Sequence, residues 1–346
     1  MNVVLDGIIE TLQSNGGITV YFRELLEGLA ATNSISVDYL SYESQGLISQ
    51  SDAASRVKVV PLKARIIERY RTAECARPQG AIFHSSYYRL PEKRLAAKVV
   101  TTVHDFTYEK FRQGIARYLH SEQKYAAISR SDAVICISQN TAVDLQRYCP
   151  VRPEKIHVIY NGVSDRYMPL DSLPKDSSQT ILFVGARSGY KNFALAVQSL
   201  AKLPDYRLSI IGGGALNAKE KALLALYLEG RYKHYMYLTD AELNLQYNSA
   251  HCLLYLSSYE GFGIPVIEAM RTGCPVVAMN SSSIPEISGR SALLLDREDL
   301  GDVREAIIQL EGSHLRSSLI ARGLLNTKRF SWKKTSDELI NLYRQL

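Results

Sequence analysis

The sequence predicts an α/β chain of two Rossmann-like domains facing a central cleft. Three observations carry this. Short apolar runs of strand length alternate with amphipathic stretches of helical spacing along most of the chain, which implies parallel sheets covered by helices. The runs are apolar throughout, which suits central strands buried on both faces. The chain has 346 residues, beyond the size at which a single core usually stops growing.

In chain order, Asn15-Gly16-Gly17-Ile18 follows a first strand region and opens a helix over Thr19–Leu29. Strands are expected at Val99–Val103, Ala133–Ser138 and Ile156–Tyr160, then at Thr180–Val184, Leu208–Ile211, Cys252–Leu256 and Pro275–Ala278. Helical patterns cover Asn192–Lys202, Leu243–Ala250 and Asp302–Leu310. The segment from Asp165 to Ser178 is rich in Pro, Ser and Asp, the composition of a linker, so one domain is expected over 1–168 and a second over 176–328. A last helix around Ser331–Gln345 carries Trp332, Leu339, Ile340 and Tyr343. The chain shows no internal repeat and no low-complexity tract.

Hydrophobic residues make up 46% and charged residues 22%, which fits an ordinary soluble domain pair. Asp6 and Glu10 leave the N-terminus without the basic start of a secretory signal. No apolar run approaches the roughly 20 residues of a membrane span. The five cysteines (75, 136, 149, 252 and 274) include no CxxC pair. Their pattern predicts thiols packed in a core in a reducing compartment, and no metal site.

Net charge is +6, yet eleven Lys and Arg stand against three Glu between Arg56 and Lys98, a local net of +8. Within it, Leu62, Ile66, Ile67 and Tyr70 share one face of a helical spacing. Such a basic amphipathic helix suits an anionic bilayer; a solvated basic face on a core-packed helix is the alternative. No recognition motif accompanies the charge, so nucleic acid is not an expected partner.

The richest chemistry lies in Tyr259-Glu260-Gly261-Phe262-Gly263-Ile264-Pro265-Val266-Ile267-Glu268. Pro265 suits the start of a helix, where its missing N–H needs no partner. Gly261 and Gly263 permit a tight turn and close approach to a ligand. The helix start then offers unpaired N–H groups and a positive dipole end to a phosphate. Glu260 and Glu268 flank that anion site, and ionised carboxylates accept hydrogen bonds from sugar hydroxyls. Phosphate plus hydroxyls reads as a nucleotide sugar.

A second basic loop, Gly185-Ala186-Arg187-Ser188-Gly189-Tyr190-Lys191-Asn192, lies between a strand and a helix. Arg187 and Lys191 are expected at the carboxyl ends of the strands, where open α/β sheets bind ligands. Two cations there suit a diphosphate. A plain basic loop capped by Asn192 is the alternative. Thr101-Thr102-Val103-His104-Asp105 ends another strand, with Asp105 in reach to set the tautomer of His104. Ile137 to Thr141 and Tyr160-Asn161-Gly162-Val163 read as mainly structural turns.

Together these segments resemble the family 4 retaining glycosyltransferases of bacterial surface-polysaccharide type, which have the GT-B fold. The Glu260 to Glu268 spacing matches the family's Glu-x7-Glu motif, and Arg187 with Lys191-Asn192 matches its Arg…Lys-Asn motif. Gly16-Gly17 and His104-Asp105 resemble its N-terminal Gly-Gly loop and His-Asp pair. Ile211 to Gly214 and Ser281 to Glu286 resemble loops near the nucleotide. The resemblance runs from about Val3 to Leu342 and is strongest over Leu243–Glu286. Two positions depart from the family pattern: Leu256-Ser257 stands in place of Pro-Ser, and His251 in place of Asp.

The resemblance implies a hexosyltransferase that retains anomeric configuration, with an acceptor-binding domain over 1–168. A nucleotide-sugar domain over 176–328 and a helix over 329–346 returning to the first domain complete it. It implies catalytic roles for His104, Arg187, Lys191 and Glu260. It assigns donor contacts to Gly16, Gly17, Gly185, Arg187, Lys191, Glu260, Gly261, Phe262, Gly263, Ile264 and Glu268. No metal or other cofactor is expected; the nucleotide-diphosphate sugar is a co-substrate. The expected acceptor is a lipid-linked or lipopolysaccharide O-antigen type glycan, met from the cytoplasmic face of the plasma membrane with peripheral contact to anionic lipid. A mannosyl donor leads, although no residue identifies the base or the sugar. A nucleotide-sugar epimerase and a non-catalytic sugar-nucleotide binder on the same fold are the alternatives.

Overall fold

The apolar runs pair into two separate parallel sheets. A computed structural model describes residues 1–13, 16–42, 46, 48–49, 51–75, 80–92, 97–171 and 179–346. The expectations placed on Asn15, on 172–178 of the Pro/Ser-rich segment and on 76–79 and 93–96 of the basic segment lie outside the described residues. The chain divides into one unit of 1–162 with 332–346, and a second of 163–331.

The first unit holds β1 (Asn2–Asp6), β2 (Ser36–Ser41), β3 (Lys58–Pro61), β4 (Ile82–Ser85), β5 (Lys98–Val103), β6 (Ala133–Cys136) and β7 (Ile156–Val158). They run parallel in the order β3-β2-β1-β4-β5-β6-β7. The second unit holds β8 (Thr180–Val184), β9 (Arg207–Ile211), β10 (Tyr232–Tyr235), β11 (Cys252–Tyr255), β12 (Val276–Met279) and β13 (Leu293–Leu295). Their order is β10-β9-β8-β11-β12-β13, again parallel. In each sheet the strand order reverses once, between β1 and β4 and between β8 and β11. Ligands of such sheets bind outside the strand ends at that reversal.

The second core shows why these strands form. Ile181, Leu208, Ile210, Cys252, Leu254 and Val277 from the sheet meet Val197, Leu200, Leu224 and Ile307 from the covering helices. Burying one such aliphatic side chain is worth about 1.5–3 kcal/mol. Cys136, Cys252 and Cys274 are buried thiols, and all five cysteines are free.

The helix Trp332–Gln345 packs on the helix Gly17–Ala30 of the same unit. Gly28 sets their approach, since a Cβ there would lie 2.5 Å from Ser336 Cβ. Trp332 meets the Tyr21 ring edge-on at 6.1 Å, and Tyr343 hydroxyl lies 2.5 Å from His84 Nδ1.

One expectation needs correction. The stretch 62–71 forms no amphipathic helix: only a single 3-10 turn, Glu68–Tyr70, appears after an extended start. Ile67 takes left-handed backbone angles (φ 56°, ψ 32°) that break any helix. The cause is Arg89, whose side chain is fully buried and must find acceptors for its fixed donors. It donates to Glu68 Oε1 at 2.6 Å, Tyr42 Oη at 2.7 Å, Asp6 Oδ1 at 3.1 Å and the carbonyls of Arg71 and Thr72. The chain bends to deliver Glu68 inward, leaving Ile66 and Ile67 in solvent. The residues Asp165–Asp171 are anchored within the second unit. Met168 and Leu170 N–H groups donate to Asn244 and Asn248 of the second unit.

Candidate functional site

The site is built on the two strands at the reversal in the second sheet. The chain leaves β8 through Gly185–Asn192 and leaves β11 through Leu256–Gly263, so both basic and acidic motifs emerge side by side. Three contacts stitch the loops together. Asn192 Nδ2 donates to the Leu256 carbonyl at 3.0 Å, Ser258 N–H donates to the Tyr190 carbonyl at 2.8 Å, and Lys191 Nζ reaches Glu260 Oε1 at 2.5 Å. Asn192 therefore bridges the loops and does not cap the following helix with its side chain. The Lys191 and Glu260 side chains are only 14% and 12% exposed, so their pairing is partly shielded from water.

The helix Ile264–Arg271 begins at Gly263, which holds φ 101°. The positive φ requires glycine, and an added Cβ would also displace the end of the Ile284 side chain, 2.7 Å away. Pro265 takes a first-turn position. The loop before it is fixed from beneath by a contact the sequence did not reveal. Ser282 Oγ accepts from Glu260 N–H at 2.8 Å, and Ser283 Oγ donates to the carbonyls of Glu260 and Phe262 at 3.0 and 2.9 Å. The run Ser281-Ser282-Ser283 was the available signal, though hydroxyls alone do not announce their partners.

Glu268 lies on that helix, five residues beyond Gly263. Tyr247 hydroxyl donates to its Oε2 at 2.9 Å. Burial pushes the Glu268 carboxyl up to about 7, against the lowering pull of the Tyr247 and Tyr167 hydroxyls.

Arg187 behaves differently from expectation. Its guanidinium turns onto the glycine-rich loop after β9, donating to the carbonyls of Gly212 at 2.6 Å, Gly213 at 3.1 Å, Gly214 at 3.0 Å and Ala215 at 3.1 Å. Its Nε lies 3.1 Å from Glu220 Oε1, an ion pair by distance without hydrogen-bond alignment. The side chain is 2% exposed. The structure brings Gly185, Lys191, Glu260, Gly261, Phe262, Gly263, Ile264 and Glu268 to one end of one sheet, and commits Arg187 to holding a neighbouring loop.

His104, Gly16 and Gly17 belong to the first unit. His104 follows β5 and is buried, with its Nε2 lacking a hydrogen-bond partner. The Tyr21 ring meets it edge-on at 5.1 Å. Burial holds its imidazole down to about 4, partly offset by Asp105, so it is neutral at physiological pH. Asp105 does not set its tautomer: the carboxylate instead accepts from Thr107 N–H at 2.8 Å, opening the next helix. Buried Lys124 donates to the Asp105 carbonyl at 2.5 Å and fixes the turn after His104. Gly16 sits in extended backbone before the helix Gly17–Ala30. His251, one of the departures from the family pattern, is buried with its Nε2 3.0 Å from the Ile307 carbonyl and stays out of the site.

Comparison with known proteins agrees with this fold. The family model Glycosyltransferase Family 4 matches residues 15–167, and Glycosyl transferases group 1 matches 170–324. The chain is 26% identical to O-antigen chain mannosyltransferase B of Escherichia coli, over 95% of this chain and 96% of that one. Among solved structures it resembles sucrose-phosphate synthase of Thermosynechococcus elongatus at TM-score 0.82 and 20% identity, covering 100% and 98% of the two chains. It also resembles Anabaena HepE in complex with UDP and glucose, at TM-score 0.77 and 16% identity over 100% and 99%. Family models spanning both units, and the GT-B fold of these neighbours, lead to one conclusion: the chain belongs to the family 4 glycosyltransferases.

Proposed function

We propose that this enzyme transfers a hexosyl unit, mannosyl first among candidates, from a nucleotide-diphosphate sugar to a lipid-linked glycan of the lipopolysaccharide O-antigen type. The observation that carries the reading is the stitched pair of loops at the β8/β11 reversal. There an ammonium, a carboxylate and a glycine-started helix share one strand end. The names of relatives support the acceptor class: O-antigen chain mannosyltransferase B, and RfbU of Salmonella typhimurium, matched over 54% of this chain.

In this reading the departing diphosphate is stabilised by Lys191 and by the N–H groups at the start of the helix Ile264–Arg271. Glu260 accepts hydrogen bonds from sugar hydroxyls and Glu268 from those of the ribose. Arg187 acts mainly by shaping the Gly212–Ala215 loop. The family resemblance gives His104 contact with the donor sugar near the reacting carbon, where a neutral imidazole offers a hydrogen bond without adding charge. A donor phosphate oxygen takes the acceptor proton, so the anomeric configuration is retained without a protein nucleophile. Lys191 supplies positive charge where other enzymes use a divalent ion. No helix among the described residues is long and apolar enough to cross a membrane. We place the enzyme at the cytoplasmic face of the plasma membrane, held peripherally.

The test is thermal unfolding in EDTA against GDP, UDP, ADP, dTDP and CMP and their sugar conjugates. A ligand of the folded state raises the melting temperature by mass action. One base should shift it, and the matching sugar nucleotide should be consumed only when a lipid-linked acceptor is added. Consumption without acceptor would favour an epimerase, and binding without consumption a sensor.

A further inference from the structure

The turn that displaced the expected helix leaves apolar side chains in water with no internal role. Ile66 is 86% exposed and Ile67 62%. The first turns of the helix Gly114–Arg130 do the same, with Ile115 at 78%, Tyr118 at 65% and Leu119 at 47%. Their spacing of three and four residues aligns them on one outward stripe. The two segments touch. Gln123 Nε2 donates to the Arg69 carbonyl, and Arg69 Nη2 lies 3.4 Å from His120 Nδ1. Leu119 is one turn before Gln123, so the stripe and the Ile66–Ile67 tip lie on adjoining segments of the first unit.

The charge around this surface is predominantly positive. Lys63, Arg71, Arg112 and Arg117 are exposed beside it. Two of the nearby acids are turned away. Glu68 is buried against Arg89 and Arg65, and Glu109 is buried against Lys124. Glu122, one turn beyond Tyr118, and Glu74, which pairs with Arg65, are the exposed acids near it among the described residues. Isolated aliphatic and tyrosine side chains raised among arginines match the interface of an anionic bilayer, which takes apolar tips below a negative headgroup layer. A protein partner would call for a broad packed face; here the apolar groups project from a bent loop and a helix end.

We propose that Ile66, Ile67, Ile115, Tyr118 and Leu119 form the membrane-inserting surface of the enzyme, and that the flanking arginines bind anionic headgroups. The inference rests on the reading of a membrane-borne acceptor and names the surface that meets that membrane.

The experiment is co-sedimentation with vesicles of phosphatidylethanolamine and phosphatidylglycerol, and with neutral phosphatidylcholine vesicles, in low and high salt. The full chain should pellet with anionic vesicles at low salt, and less at high salt. Ile66→Ser with Ile67→Ser, and separately Ile115→Ser with Leu119→Ser, should each weaken binding about tenfold or more. Each variant should stay within a few degrees of the wild-type melting temperature and keep the nucleotide-induced shift, because Ile66, Ile67 and Ile115 are mostly exposed and Leu119 about half exposed. Ile66→Trp adds a second reporter whose emission should move to shorter wavelength with anionic vesicles. Wild-type protein that stays in the supernatant, or paired variants that bind as wild type does, would overturn the proposal. So would a paired variant that merely breaks a dimer. A nucleotide-induced shift with no vesicle binding removes this surface and leaves the transferase reading in place; vesicle binding with no nucleotide response does the reverse.

Discussion

Lys191 and Glu260 neutralise each other across the two loops, 2.5 Å apart and mostly shielded from solvent. In the proposed function a bound donor divides this pair, offering phosphate to the ammonium and sugar hydroxyls to the carboxylate. On that reading the ion pair holds both groups at the positions a donor needs, and competes with it. Glu260→Gln removes the competing charge. Binding of the bare nucleoside diphosphate should then be unchanged or severalfold tighter, while transfer slows about 100-fold. Lys191→Ala should weaken diphosphate binding and slow transfer by at least as much. Calorimetry with the diphosphate, beside turnover of the sugar nucleotide, separates the two. A looser diphosphate complex in Glu260→Gln would show that the pair does not compete with donor.

Glu268 gives a pH signature. Burial raises its pKa to about 7, opposed by hydrogen bonds from Tyr247 and Tyr167. In the proposed function the ionised form accepts ribose hydroxyls, so donor affinity should rise between pH 6 and 8, and Glu268→Gln should flatten that rise. Tyr247→Phe should move the midpoint upward, since a hydrogen bond that lowers the pKa is lost. Stability runs the other way. A carboxyl with a folded pKa above its unfolded 4.5 favours folding below pH 4.5 and loses that contribution as pH rises through about 7. At about 1.4 kcal/mol per pH unit, discounted for partial exposure, the cost at pH 8 is about 2 kcal/mol. Glu268→Gln without ligand should therefore melt higher than wild type at pH 8, and equally at pH 4. Equal melting at both values would contradict the raised pKa.

Arg187 separates two accounts of one motif. The resemblance assigns it to phosphate, whereas the structure shows it spanning four successive carbonyls from Gly212 to Ala215. Lysine cannot reproduce that fork. If the loop clamp is its main work, Arg187→Lys should lower the melting temperature and raise KM with little change in kcat. A loss of kcat with unchanged melting would return Arg187 to the phosphate.

The differences between sequence and structure have identifiable physical causes. Strands such as Thr180–Val184 were legible because apolar runs need no distant partner to be recognised. The Glu260–Glu268 loop was legible because Gly263 and Pro265 mark a helix start by backbone geometry alone. The 62–71 segment was misread because its periodicity is helical, while its conformation answers to Arg89, eighteen or more residues away. The loops' mutual stitching, through Asn192, Ser258 and Ser283, was invisible for the same reason. A hydroxyl or amide in a sequence says that a bond is available, and only the fold says where it goes.

Gly28 and Ser336 close the first unit through contact at helix–helix distance. A methyl on Gly28 would lie 2.5 Å from Ser336 Cβ and 2.2 Å from its Oγ. Gly28→Ala should therefore push the C-terminal helix outward and cost about 1–3 kcal/mol, despite alanine's better helix propensity. Ser336→Gly removes the obstructing atoms, so the double variant should recover more stability than the two single effects would predict together. The movement should also be read at Trp332, the only tryptophan in the chain, whose ring packs on Tyr21. Its emission should shift to longer wavelength in Gly28→Ala and return in the double variant. Simple additivity, with Trp332 emission unmoved, would mean that the two helices do not meet at this pair.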